Sequence, residues 1–432
     1  MNPGPRVVIL GGGLSGMATA WRLLRAGFRE VVLVEKGDKL GGLAGSFEKE
    51  GRFYPLGYHH ILRHDRTLQL FLDQVGALSS VRWKKVRMLF QHQGRLYDFG
   101  DPRSLLKFPL PWPDKLRFLR FMLRAFLKRD WSEWKGRSAD LLVDQWASPR
   151  VREALFEPLT QLKFRLPCKD LSAAWMGARL SYREGSAPLG YIPDKNWTTV
   201  LCDGLTDLLS ELGCVIRTSS PVQLIHGREG RIEETVLASG ERLRADLFVC
   251  ALPTVAYLVL VPEDATPQLN EIRYTALISL VAATRQKIPA DFYWLNLSSL
   301  NHTACAIFQL SALNSSIGGE GETCVNFVTH LNGANRSLLK RSDAELLAAY
   351  SADFESVFGF PFEPGWMHVS RIGVYSPIFH VGYENPPIQS STFKNLYFAG
   401  VHRTFPSVAS TGCALQSGLD AAEALLSDHA PR

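Results

Sequence analysis

The sequence predicts an α/β protein in which a parallel-sheet, Rossmann-like domain carries inserts that form a second domain of mixed sheet and helix. Three observations predict it. The N-terminus reads strand, glycine turn, helix, strand; the C-terminus reads strand, loop, small-residue helix; and the stretches between them switch to amphipathic helical and alternating patterns.

The first element is the apolar run "RVVIL", residues 6–10, followed by Gly11-x-Gly13-x-x-Gly16 and a helical stretch closed by Gly27. A second buried strand, "EVVLVE", ends in Glu35, nineteen residues beyond Gly16. This is the full context of a dinucleotide fingerprint: Gly11 permits the turn, Gly13 lets a pyrophosphate approach the backbone, and Gly16 lets helix and strand pack closely. The helix start at Leu14 and Ser15 faces the phosphates. Glu35 accepts hydrogen bonds from ribose hydroxyls and repels a 2′-phosphate, which disfavours NADP; Lys36 adjoins it.

Composition sets the outer limits. The 432 residues suffice for two substantial domains, and 46% hydrophobic with 21% charged residues describes an ordinary globular chain. The net charge of +6 comes without a nucleic-acid reader motif, so nucleic acid is not an expected partner. Seven cysteines lie scattered without CxxC spacing and read as free thiols in a reducing compartment. No metal site is expected. The N-terminus lacks the basic and apolar regions of a signal peptide, and no apolar run reaches the ~20 residues of a spanning helix, so the expected location is cytoplasmic or peripheral to a membrane.

FAD and NAD share the N-terminal fingerprint, and two further features bear on the choice. "KLGGLAGSF" places the doublet Gly41 and Gly42, with Leu43, soon after Glu35, where it allows another close backbone approach. Far along the chain, "NLYFAGVHRTFPSVASTGCALQSGLDAAEALL" gives a strand ending in Ala399 and Gly400, then a helix from about Thr411 containing Gly412 and Ala414. With these segments in view the chain resembles the FAD-dependent amine oxidase superfamily, which includes protoporphyrinogen oxidases and phytoene desaturases. The middle stretch, "LLSELGCVIRTSSPVQLI" followed by "ADLFVCALP", is similar to that family's central FAD segment. The resemblance implies a glutathione-reductase-like FAD domain, noncovalent FAD, adenine contact through the backbone of Val222, and a contact at Ala251. It also exposes departures: Val401 and His402 stand where many relatives have an acidic residue, and "GYIPDKNWTTV" lacks a Gly-Gly turn. No second GxGxxG occurs, so electrons are expected to pass to oxygen, a quinone or another acceptor rather than to a second bound nucleotide.

These segments divide the chain into an FAD domain of residues 1–80, 190–260 and 371–432 and a substrate domain of 81–189 and 261–370. The first insert shows helical periodicity and reads as a cap. The second alternates, as in "ACAIFQL" and "TCVNFVTHL", and reads as sheet. Within the cap, residues 108–130 place Arg117, Arg120, Arg124 and Lys128 as a basic stripe in an otherwise apolar helix, which suits a membrane surface or an ordinary core helix. Lys163 and Arg183 are candidates for an anionic head group or plain surface charges.

The stretch "FYPLGYHHILRHD" carries three histidines. Adjacent His59 and His60 on a strand would face opposite sides and would not share a metal, while Asp65 is placed to cap a helix over "RTLQLFLDQV". By its order in the resembling family, "FYPLGYHH" is expected as a strand running toward the flavin, with His60, then His59, in a catalytic role. Tyr383, near His380, is a third candidate. The expected function is an FAD-dependent oxidoreductase removing hydride equivalents from a hydrophobic organic substrate, with carbon–carbon desaturation favoured over amine oxidation. The alternatives are a redox-neutral flavoenzyme of the UDP-galactopyranose mutase or isomerase kind, suggested by "GYHHILRHD", and a non-catalytic flavin-binding subunit.

Overall fold

The computed structural model describes residues 4–181 and 188–429. Five short strands form a parallel sheet, in the spatial order Leu396–Phe398, Leu247–Cys250, Val7–Leu10, Val31–Val34, Val215–Arg217. Alternation sends their side chains to opposite faces. Val7, Ile9, Val31, Leu33 and Val249 pack under the helices Leu14–Arg25, Trp197–Glu211 and Thr411–His429. Val8, Leu10, Val32, Val34 and Phe248 face a three-stranded antiparallel sheet built from Val222–Arg228, Arg231–Leu237 and Arg242–Arg244. Each such fully buried Val or Leu contributes about 1.5–3 kcal/mol.

The C-terminal helix returns to the N-terminal one through small residues. A Cβ on Gly418 would stand 2.2 Å from the Ser15 carbonyl oxygen, so only glycine admits this approach. Across the contact Ser15 Oγ donates to the Ala414 carbonyl at 2.8 Å and Thr19 Oγ1 to that of Gly418 at 3.0 Å.

The second body is a seven-stranded mixed sheet ordered Trp366–Ile372, Ala276–Thr284, Thr323–Leu331, Ala306–Gln309, Trp294–Leu297, Met88–His92, Arg95–Asp98. The alternating segments of the second insert form strands as expected. The first insert is not purely helical: it supplies the last two strands as a hairpin, closed by Gln93 and Gly94 with φ of 50° and 75°. Two positive φ values are what a two-residue primed turn needs, and "FQHQGRLYDF" alternates on both sides of it.

The histidine stretch also differs from expectation. The strand Arg52–Pro55 pairs with Ser46–Lys49 and stops there; the chain bends at Leu56 and Gly57, and His59 and His60 lie in irregular backbone before Ile61 bridges to Gly190. Pro55 offers no N–H with which to extend a ladder. The helix Arg66–Gln74 follows with Asp65 as its cap, the carboxylate accepting from Leu68 N at 3.0 Å.

Candidate active site

One continuous cavity of about 1740 Å³ runs from the parallel sheet into the second body. Its nucleotide end is a cradle of glycines. Gly11, at φ +105°, has no room for a Cβ, which would lie 3.1 Å from the Ala251 backbone; one on Gly16 would lie 2.0 Å from the Gly11 carbonyl oxygen. Gly13 meets nothing within 4 Å and lines the cavity, so its open side faces the space a pyrophosphate would take. The Gly41–Gly42 doublet folds onto this turn, both residues at positive φ, with Gly41 N donating to the Gly12 carbonyl at 2.8 Å. Glu35 is fixed at its strand end by accepting from Gly12 N and Gly37 N, each at 2.8 Å.

Leu14, Ser15, Glu35, Lys36, Gly41, Gly42, Leu43, Val222, Ala251, Gly400 and Ala414 all line this cavity, brought from every part of the chain. Two expected contacts lie outside the lining. Gly16 serves helix–strand packing, and a Cβ on Gly412 would come 1.9 Å from an Asp65 carboxylate oxygen, so Gly412 seats the C-terminal helix on the cap of the helix Arg66–Gln74. Cys413 is outside it too, and all seven cysteines are free.

Both histidines reach the cavity wall and are distinguished by their partners. His59 Nε2 is 3.2 Å from the Leu43 carbonyl oxygen. His60 Nδ1 is buried without a hydrogen-bond partner, and its ring sits edge-on to Tyr293 at 6.1 Å and beside Trp294 at 6.2 Å. Burial, with lesser effects of His59 and Arg179, lowers the His60 pKa to about 4, so it meets a ligand as neutral imidazole. An electrostatic role as a cation beside the flavin therefore does not suit it. Tyr383 is off the lining: it is 3% exposed and donates its hydroxyl to the His402 carbonyl at 2.5 Å, so it packs and positions His402 rather than touching a ligand. His402, 2% exposed, does line the cavity, with Nε2 unpartnered.

Sequence reasoning named Lys163 as a candidate for an anionic head group and missed the residues that stand with it on a polar wall near His60. Lys163 is there, on the last turn of the helix Glu157–Phe164, with Arg179 from the helix Ala173–Ser181 and His330 from a central strand. Tyr58 is stacked on Phe308 at 4.0 Å and shares a hydrogen bond with Tyr375. Arg183 lies outside the described residues.

The buried imidazoles make stability pH-dependent. Burial lowers His330 and His402 to about 3, alongside His60 at about 4. As pH falls below the unfolded value near 6.5, the unfolded chain takes up protons that the native one refuses, so stability is lost progressively toward pH 4. Asp353, raised by burial to about 6, opposes this trend, as do Asp65 and Asp203, which burial also raises. The thermal midpoint of the holoprotein is expected to fall steadily from pH 7 to pH 4; a flat profile would contradict the burial of these rings.

Comparison with known proteins bears on what fills the cradle. The pattern defining the flavin containing amine oxidoreductase family matches residues 14–426. The 15-cis-phytoene desaturase of Solanum lycopersicum is 24% identical over 480 residues, covering 98% of this chain and 78% of that protein. Among solved structures, a protein of Exiguobacterium sp. 255-15 assigned as a protoporphyrinogen oxidase superposes with a TM-score of 0.80 at 18% identity, covering 98% and 99% of the two chains. Reduced UDP-galactopyranose mutase gives 0.73 at 16% identity over 99% and 96%. These likenesses establish the fold, and the glycine cradle with Glu35 at its strand end fits the FAD that the family carries. The chain belongs to the flavin containing amine oxidoreductase family and is an FAD-dependent oxidoreductase.

Proposed function

We propose that the enzyme removes hydride equivalents from carbon in an extended hydrophobic substrate, and that this substrate enters from a membrane surface. The observation that carries the reading is the continuity of the cavity. Its lining joins the cradle and His60 to an apolar set that includes Phe108, Phe118, Leu119, Met122, Phe156 and Leu159. Leu119 belongs to the helix Trp112–Leu127 and is 56% exposed, so the apolar lining is continuous with an apolar outer face. A substrate that fills such a channel is chosen by shape and apolar area.

FAD supplies hydride acceptance when bound. The protein's part is to hold the substrate, exclude water and offer a hydrogen-bonding group at His60. Lys163 and Arg179 on the wall disfavour a protonated amine as substrate, which supports carbon–carbon desaturation over amine oxidation. The electron acceptor in this reading is oxygen or a quinone. No helix among the described residues is long and apolar enough to cross a membrane, so contact with lipid would be peripheral.

The test is anaerobic mixing of purified holoprotein with fractionated neutral and acidic membrane lipids, following the visible flavin band. An active fraction should bleach it, and a quinone should restore it. His60→Gln should keep its FAD but slow bleaching roughly 100-fold, within the range of general acid–base effects, with a smaller loss for His59→Gln. Wild-type rates in both variants would reduce the histidines to scaffold. Turnover without consumption of an acceptor would instead favour a redox-neutral reaction.

A further inference from the structure

We propose that the cavity wall near His60 carries an anion receptor, in which Lys163, Arg179 and His330 hold the carboxylate of an amphiphilic substrate whose chain occupies the apolar channel. This rests on the hydrophobic-substrate reading and adds a head group to it. The three side chains come from three separate elements and converge on one stretch of wall. Lys163 Nζ and the Arg179 guanidinium both lie against the Trp175 ring, at 5.8 Å and 5.9 Å.

Among the described residues neither cation has a carboxylate partner. Lys163 Nζ also lies over the Phe164 ring, at 5.5 Å, and the charge that acts on it is that of Arg179. The charged groups that act on His330 are Lys163, Arg179 and Arg165, all of one sign. Burial without an opposite charge holds the Lys163 pKa well below its usual range. His330 is 5% exposed and its Nδ1 has no hydrogen-bond partner.

Adjacent cations in a cavity with no counter-charge are costly unless something completes them. The donor set indicates what does. A guanidinium fork, an ammonium and an imidazole N–H together match the acceptor positions of a carboxylate, which takes only donors. A phosphate monoester shares that chemistry and is separated by experiment.

Purified holoprotein would be titrated with oleate, oleyl alcohol and oleyl phosphate, reading the perturbation of the flavin spectrum and the thermal shift. Oleate should bind roughly tenfold or more tighter than the alcohol. Lys163→Met and Arg179→Met should each remove most of that advantage while leaving FAD content and alcohol binding unchanged, and Lys163→Arg should retain it. The Arg179→Met variant should also melt higher than wild type without ligand, since an uncompensated buried guanidinium is gone. Equal binding of oleate and alcohol would overturn the anion receptor alone, and tighter binding of oleyl phosphate would overturn the carboxylate assignment. No binding of any of the three, with FAD retained, would overturn the hydrophobic-substrate reading together with it.

Discussion

Gly13→Ala is expected to yield a folded protein that has lost FAD, whereas Gly16→Ala is expected to destabilise the cofactor domain itself. The two glycines stand three residues apart in one turn but do different work. A methyl on Gly13 meets no atom within 4 Å and projects into the cavity, so the apoprotein pays nothing for it. The cofactor's phosphates would have to retreat by about the width of a methyl group, which loses the backbone hydrogen bonds at the start of the helix Leu14–Arg25. With several charge-assisted bonds lost at ~1.5–3 kcal/mol each, affinity should fall roughly 100-fold or more. On Gly16 the same methyl would sit 2.0 Å from the Gly11 carbonyl oxygen, a clash with backbone that no side-chain rotation relieves. Overpacking of this kind costs about 1–3 kcal/mol or more, at the junction of the sheet and its first helix. The checks are the flavin-to-protein ratio after purification and the melting temperature of each apoprotein. A yellow Gly13→Ala protein with wild-type FAD content would show that the phosphates do not approach at this residue. In wild type, acid precipitation should free all the flavin intact, since Cys413 stands off the cavity wall.

The cradle was legible because its constraints are local. Gly11, Gly41 and Gly42 hold backbone angles that side chains resist, and Glu35 is anchored by amides two residues away and in the adjoining turn. The helix from Thr411 was legible for a related reason, its small residues marking a close approach that Gly418 and Ser15 make. The hairpin at Gln93 and Gly94 was also written in the sequence, but the helical periodicity of its neighbours obscured it. The histidine strand failed because order along the chain says where a segment goes, not how it travels, and Pro55 ends the ladder four residues before His59. Of the Lys163, Arg179 and His330 cluster the sequence offered Lys163 alone, as a candidate for an anionic head group: each residue sits in an unremarkable helix or strand, and only packing of three elements around the cavity brings them together. Nothing in the sequence distinguished Lys163 from a surface charge or showed that it is buried without a carboxylate partner.

Replacing Leu116, Leu123 and Leu127 together by Glu is expected to abolish binding to lipid vesicles while leaving FAD content and melting temperature near those of wild type. The helix Trp112–Leu127 has two apolar stripes. One is buried, through Phe118, Phe121 and Ala125, and accounts for the packing of a core helix. The other is Trp112, Leu116, Leu119, Leu123 and Leu127, between 56% and 68% exposed, with Leu106 at 52% beside it. An ordinary core helix turns a polar face to water, so the second stripe is unexplained by packing and marks a surface that expects an apolar partner. The charges say which kind. Arg117, Arg120 and Arg124 are exposed along the same helix, and Arg150 joins Arg117 in facing Asp114. Basic residues flanking an apolar stripe suit an anionic bilayer, at about 1 kcal/mol for each charge near the surface and about 1.5–3 kcal/mol for each leucine fully removed from water. Flotation of holoprotein with vesicles of phosphatidylglycerol and with vesicles of phosphatidylcholine separates the contributions. The leucine variant should remain unbound with both. Reversal of Arg117, Arg120 and Arg124 to Glu should weaken binding chiefly to the anionic vesicles, and should do so less at high salt, where screening has already removed the attraction. Equal soluble fractions for wild type and both variants would rule out the lipid surface as the route by which substrate reaches the cavity beside Leu119.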